Sequence, residues 1–139
     1  MLFGEYYHNI DAKGRMIFPA KLRAEIGDKF YVTRWLDNCL VAFSEKEFMA
    51  VCERIKSQAM SRSSDVQRIL FSNACEVECD KQGRILIPAN LRAKAGLVKD
   101  VVVIGVLNRA EIWDKDKWEE KSNSIDGELF DKGMQELEI

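Results

Sequence analysis

The chain of 139 residues has little of the chemistry that enzymes and metal sites need. It contains one histidine, His8, and four cysteines without a Cys-x-x-Cys pair, namely Cys39, Cys52, Cys75 and Cys79. A structural zinc site takes four cysteine or histidine ligands at close spacing, so this distribution argues against one. We expect no metal and no cofactor, and we expect reduced thiols that pack as small core residues.

Long apolar stretches are also missing. No run approaches the ~20 residues that a membrane-spanning helix requires, and the first residues lack the basic and apolar segments of a secretory signal. The sequence has no glycine-rich phosphate loop and no recognisable nucleophile beside His8. We therefore expect a cytoplasmic protein with no membrane partner and no enzymatic activity.

The formal net charge of −2 hides an uneven distribution. Residues 111–139 hold ten acidic residues against four lysines, a balance of −6, so residues 1–110 carry +4. A basic body with an acidic tail is compatible with a nucleic-acid partner, although the total charge alone is not.

A segment of thirteen residues recurs in the chain in a similar form. Residues 11–23 return as residues 80–92, at an offset of 69 and with seven identical positions: Asp, Gly, Arg, Pro, Ala, Leu and Arg. A repeat of this kind indicates two copies of one supersecondary unit. We place the first unit at 1–60, and the second, preceded by a short linking helix and followed by the acidic tail, at 61–139.

The repeated segment has the chemistry of a tight turn. Asp11 and Gly14, like Asp80 and Gly83, occupy the first and fourth turn positions, where aspartate and glycine are favoured. In the first copy we predict a hairpin of strands 6–10 and 15–18, followed by a short helix that begins at proline and ends before glycine. The side chains expected in a shared core are Ile17, Phe18, Leu86 and Ile87.

Three further segments show helical patterns. Ser44 and Glu47 form a capping box at the start of the first. After a break at 61–64, a second short helix is predicted over 65–72. The acidic tail carries a third apolar stripe, formed by Leu129, Phe130, Met134 and Leu137. Trp35 and Trp118 are candidate interface residues.

The turns carry the candidate binding residues. Lys13 and Lys81 lie at or beside the turn tips and suit phosphate contacts. Arg15 and Arg84 open the return strands and suit bidentate pairing with guanine. The alternative is that each arginine only braces its turn by pairing with the aspartate four residues earlier, an exposed contact worth roughly 0–1 kcal/mol. For Lys21, Arg23, Arg92 and Lys94, contact with DNA and simple exposure to solvent both remain open.

The doubled Asp-x-x-x-Arg motif, at Asp11–Arg15 and Asp80–Arg84, resembles the signature of the MraZ family. Each copy is followed by an apolar triplet, proline and Leu-Arg, and the resemblance extends to the Met-Leu-Phe-Gly-Glu start and the Glu-Ile-Trp block at 111–113. That family is similar to the AbrB and MazE class of proteins. The resemblance implies an α+β, mainly β fold: a pseudo-two-fold, swapped-hairpin barrel made from two internal repeats, with flanking helices.

The same resemblance implies a function. Members of this family are sequence-specific DNA-binding transcription regulators that act on the division and cell-wall gene cluster, including their own gene. We therefore expect a repressor whose partners are double-stranded DNA, at short direct repeats upstream of its own operon, and further copies of itself in a ring-like homo-oligomer. Such a protein would be nucleoid-associated, and its DNA-binding residues would be Arg15, Arg84, Lys13 and Lys81.

A second class of function stays open at this point. A toxin–antitoxin-like or protein-assembly module of the same fold would use its hairpins to pair with protein rather than with DNA. Binding to duplex DNA that weakens steeply with salt separates the two, because only phosphate contacts release counterions.

Overall fold

A computed structural model describes all 139 residues as eight strands and six helices. The strands are β1 Leu2–Asn9, β2 Arg15–Ile17, β3 Lys29–Arg34, β4 Leu40–Phe43, β5 Cys75–Glu78, β6 Arg84–Leu86, β7 Asp100–Leu107 and β8 Arg109–Asp114. The helices are α1 Ala20–Ile26, α2 Glu45–Lys56, α3 Met60–Ser72, α4 Ala89–Ala95, α5 Lys115–Ser124 and α6 Gly127–Glu136. None of the helices combines the length and hydrophobicity needed to span a bilayer.

Six strands form one antiparallel sheet in the order β1-β7-β8-β4-β3-β5. Exchanging the equivalent strands of the two repeats reverses this order and leaves it otherwise unchanged, so the sheet has a pseudo-two-fold axis. At its centre Leu40 pairs with Ile112, and Ala42 with Ala110. At its two ends, β1 of the first repeat pairs with β7 of the second, and β5 of the second pairs with β3 of the first. The first strand of each repeat therefore pairs with a strand of the other repeat.

The remaining two strands pair across the repeats as well. β2 and β6 form an antiparallel ribbon in which Met16 lies opposite Ile85. Hydrogen bonds extend the ribbon at both ends, from Phe18 N–H to the Gly83 carbonyl at 2.9 Å and from Ile87 N–H to the Gly14 carbonyl at 2.8 Å. The predicted pseudo-two-fold relation between the motifs is thus present in the backbone.

The predicted closed barrel is wrong, and the predicted hairpin is present only near its turn, where the Asp11 N–H donates to the Arg15 carbonyl at 2.9 Å. One isolated bridge, Ile10 to Met16, joins the end of β1 to β2, and the two sheets otherwise stay separate. The strands β2 and β6 have three residues each, and their backbone groups form hydrogen bonds with each other. They are too short to close the six-stranded sheet, so the architecture is an α+β fold with a mainly antiparallel open sheet.

Side-chain alternation in the ribbon decides which motif residues enter the core. Met16, Phe18, Ile85 and Ile87 are buried in a cluster of twenty residues drawn from both repeats. Ile17 and Leu86, which were expected in the core, are 38% and 57% exposed. Successive side chains of a strand point to opposite faces; since Met16 and Ile85 face inward, their neighbours along each strand face outward.

The helices differ from expectation at one place. The predicted break at 61–64 is wrong, because α3 already begins at Met60 and Ser63 Oγ donates to the Ala59 carbonyl at 3.2 Å. The capping box is confirmed by the Glu47 N–H, which donates to Ser44 Oγ at 3.2 Å. The amphipathic helix predicted in the tail is present as α6. A helix pair therefore follows the sheet strands in each repeat, α2–α3 in the first and α5–α6 in the second.

The alternation predicts unequal costs for two neighbouring truncations. Ile87→Ala removes a fully buried side chain and should lower the free energy of unfolding by about 2–5 kcal/mol. Leu86→Ala, the matched control on the outward face, should change it by less than ~0.5 kcal/mol. Urea denaturation followed by circular dichroism measures both. Equal costs for the two substitutions would show that the assigned ribbon register is wrong.

Candidate nucleic-acid interface

The first motif folds as a turn organised by the carboxylate of Asp11. Its Oδ1 accepts the backbone N–H groups of Lys13 at 3.0 Å and Arg15 at 2.9 Å. Its Oδ2 accepts Nε of the Arg15 side chain at 2.8 Å. The turn itself is closed by Gly14 N–H, which donates to the Asp11 carbonyl at 2.9 Å. One carboxylate thus fixes both the backbone of the turn and the direction of the arginine.

The second motif repeats this arrangement atom for atom. Asp80 Oδ1 accepts the N–H groups of Gln82 and Arg84, each at 2.9 Å, and its Oδ2 accepts Arg84 Nε at 2.9 Å. Gly83 N–H closes the turn on the Asp80 carbonyl at 3.0 Å. The retained sequence positions therefore encode one hydrogen-bond pattern twice.

The pKa values of both aspartates report the same pattern. The backbone N–H of the motif arginine makes the largest contribution and lowers the pKa of Asp11 and of Asp80 below the ordinary value of 3.8; the arginine side chain lowers it further. A depressed carboxyl pKa contributes stability above its unfolded value, and that contribution is lost as pH falls through the folded value. Both ion pairs are therefore intact at neutral pH.

The pairing leaves the reading end of each arginine free. Only Nε of Arg15 and of Arg84 is used by the aspartate, so both terminal nitrogens of each guanidinium have no partner within the chain. The side chains are 37% and 33% exposed. An arginine held by Nε and open at its terminal nitrogens is preorganised to donate two parallel hydrogen bonds to a planar acceptor pair.

Glycine is required where the turns meet the opposite repeat. Gly14 has φ of +89°, and a Cβ placed there would lie 2.6 Å from the Ile87 carbonyl oxygen, the same oxygen that Arg92 Nε contacts at 3.0 Å. Gly83 has φ of +79°, and a Cβ there would meet the Arg23 guanidinium. Any side chain at these positions would disrupt the seam, which is the contact of the turns at 11–14 and 80–83 with the opposite repeat.

Two further arginines belong to this seam. Arg92 donates from Nη1 to the Ala12 carbonyl at 3.4 Å, so a helix of the second repeat braces the turn of the first. Arg23 lies against the other turn at Gly83 and is 3.6 Å from Asp28. Arg92 is therefore not merely solvated, because its side chain supports the turn of the first repeat.

The structure brings the candidate arginines onto one surface. In the ribbon Arg15 lies opposite Leu86, and Ile17 opposite Arg84, so these four side chains share the outward face. The two arginines occupy diagonal corners. Lys13 and Lys81 are exposed on the two turns, one beyond each end of the ribbon. Ile17 and Leu86 were predicted in the core together with their neighbours Phe18 and Ile87, but adjacent residues of a strand face opposite sides, so strict period-2 alternation allows only one of each pair to be buried.

The other reactive groups do not converge on a site. All four cysteines are free, and burial raises the thiol pKa of each. No three histidine, cysteine or acidic side chains lie together in a way that could hold a metal ion. His8 is separate from the motif arginines in the ribbon; it lies in strand β1, and partial burial lowers its pKa.

Comparison with known proteins identifies relatives along the whole chain. The family described as "MraZ protein, putative antitoxin-like" matches twice, over residues 1–69 and 70–136. Proteins named Transcriptional regulator MraZ are similar: one from Finegoldia magna is 43% identical over the full length of both chains. One from Acetivibrio thermocellus is 52% identical over 88% of this chain and 87% of its own. One from Symbiobacterium thermophilum is 48% identical over 96% and 98%.

The turn geometry makes a prediction about titration. Both Asp11 and Asp80 should titrate below pH 3.8 when their carboxyl carbons are followed by NMR. In Arg15→Ala the pKa of Asp11 should rise but stay below that value, because the backbone N–H of residue 15, which makes the largest contribution, remains. Asp80 serves as the internal control and should not move. An Asp11 pKa at or above 3.8 in the parent protein would contradict the hydrogen-bond pattern.

Proposed function

The chain belongs to the MraZ family, and from this premise we propose that it regulates transcription by binding double-stranded DNA with the outward face of the β2–β6 ribbon. The relatives carry the name of transcriptional regulators, not of enzymes. The observation that carries the DNA proposal is the diagonal pair of arginines, each held through Nε by its aspartate and open at its terminal nitrogens.

The ribbon has the dimensions of a groove reader. Its two strands lie about 5 Å apart, and a two-stranded ribbon enters a major groove about 12 Å wide. Arg15 and Arg84 would then pair with guanine O6 and N7, the commonest base-specific contact of arginine. Lys13 and Lys81, on the flanking turns, would contact phosphates and supply binding that does not depend on sequence.

The target and the assembly follow from the family resemblance. We propose a repressor of the division and cell-wall gene cluster that includes its own gene, bound at short direct repeats upstream of that operon and located with the nucleoid in the cytoplasm. A ring-like homo-oligomer would engage several repeats at once. Such multivalency raises the overall affinity far above that of one subunit.

Substitution of the motif arginines tests the reading surface. Arg15→Ala or Arg84→Ala should weaken binding to a duplex from the region upstream of its own gene by about 1–3 kcal/mol per engaged subunit, because a bidentate base contact is lost. Arg15→Lys keeps the charge but not the planar fork, so it should lose most of the sequence preference. Gel-shift titration measures affinity, and circular dichroism confirms that each variant is folded.

The lysines should respond differently. Lys13→Ala or Lys81→Ala should weaken all duplexes alike and reduce the slope of log affinity against log salt by about 1. Lys46→Ala, an exposed lysine on α2, is the matched control and should leave the slope unchanged. If folded arginine variants bind as the parent does, the arginines only brace their turns. If the parent binds no duplex even at low salt, the protein-assembly alternative is the better account.

A further inference from the structure

Helix α6 has an apolar face that is largely exposed, with Met134 partly buried and Leu129, Phe130 and Leu137 exposed. Leu129, Phe130, Met134 and Leu137 fall on one side of the helix at the spacing of a single stripe, and Phe130 is 57% exposed. The other side carries Glu128 and Asp131, and Glu136 lies at the edge of the stripe beside Leu129. The equivalent helix of the first repeat, α3, instead contacts the sheet, where Leu70 is buried and its carbonyl accepts the Thr33 hydroxyl at 2.6 Å. The second repeat therefore ends in an amphipathic helix without a partner.

A second unfilled apolar surface lies between α2 and α3. A groove of about 710 Å³ runs between these helices and the turn that follows β3. Seven of its eleven lining residues are hydrophobic, among them Trp35, Leu36, Ile55, Val66 and Ile69. No residue of α6 lines it, so the two apolar surfaces of the chain do not meet each other.

The charges around the two surfaces are complementary. Three charged residues line the groove: Arg34, Arg54 and Asp65. Asp65 pairs with Arg68 at 2.7 Å, whereas neither Arg34 nor Arg54 forms a salt bridge within the chain. On α6, none of the acidic side chains forms a salt bridge either. The segment 126–139 holds five carboxylates and one lysine. Unpaired arginines beside an apolar groove fit an apolar helix whose flanks are acidic.

We propose that α6 of one copy of this chain docks into the α2–α3 groove of a second copy. The lengths agree: α6 spans about 15 Å, against about 18 Å for α2 and about 20 Å for α3. A second copy is favoured over the chain's own helix because no residue of α6 lines the groove of its own chain.

The contact is head-to-tail, because the groove and the helix are different surfaces of one chain. A repeated head-to-tail contact generates a ring when its rotation closes. The inference deepens the self-assembly proposed above and rests on it, but it needs no DNA contact. It names the surfaces through which the copies of the chain bind one another.

The test uses two substitutions that disable different halves of the contact. Phe130→Asp puts a charge on the helix face, and Val66→Asp puts one in the groove; both positions are exposed in the single chain, so the fold should survive. Val98→Asp, at a site 81% exposed and outside both surfaces, is the matched control. Light scattering at micromolar concentration reports the mass, and circular dichroism reports folding.

The parent and Val98→Asp should give a multiple of 16.0 kDa larger than two chains, while Phe130→Asp and Val66→Asp should each give a single chain. An equimolar mixture of the two variants should give two chains and nothing larger, since one intact helix then meets one intact groove. A mixture that stays at one chain, a parent that is monomeric, or a folded Phe130→Asp that assembles as the parent does would overturn the proposal.

The same samples separate this inference from the DNA proposal. Folded monomeric variants should still bind a duplex with a single repeat, as one parent subunit does, and should lose only the gain from several repeats. If the parent protein binds no DNA, the DNA proposal is wrong, but the docking result is unaffected.

Discussion

Pairing of β2 with β6 is the interaction on which the rest of the structure depends. It buries Met16 against Ile85 at the centre of a core shared by both repeats. It brings each turn against the other repeat, where the Gly14 carbonyl accepts Ile87 N–H and the Gly83 carbonyl accepts Phe18 N–H. Because successive side chains of a strand point to opposite faces, the burial of Met16 and Ile85 places both motif arginines on one exposed face. The register of the β2–β6 pairing therefore determines the core, the seam and the candidate interface together.

The two halves of the interface are alike in backbone but not in every side chain. Asp, Gly and Arg repeat with the same hydrogen bonds, whereas Lys13 is matched by Gln82 and Ala12 by Lys81. The outward face of the ribbon is therefore directional and not exactly two-fold symmetric. Head-to-tail copies of a directional unit would face successive sites in the same sense, which agrees with direct repeats better than with inverted ones.

The turns and the pseudo-two-fold relation between the repeats follow from the sequence pattern, whereas an exchange of strands was implied only by the resemblance to the family. The spacing of Asp11, Gly14 and Arg15 predicts the turn, and its return 69 residues later predicts the pseudo-two-fold relation. The exchange of strands between repeats was not predictable from the turn, because a closed local hairpin and an exchanged one have the same local sequence. The long-range hydrogen bonds and the shared core decide between them. The serines at 61–64 indicated a break, yet α3 begins at Met60 and accommodates them on its first turns.

We propose that Arg15 and Arg84 read guanine from the major groove, and methylation interference is the most direct test of this contact. Methyl groups on guanine N7 occupy the acceptor that each arginine needs. The parent should be blocked by methylation at two guanines of each bound repeat, Arg15→Ala should lose sensitivity at one of them, and Arg84→Ala at the other. The same interference pattern in the parent and both folded variants would contradict the account.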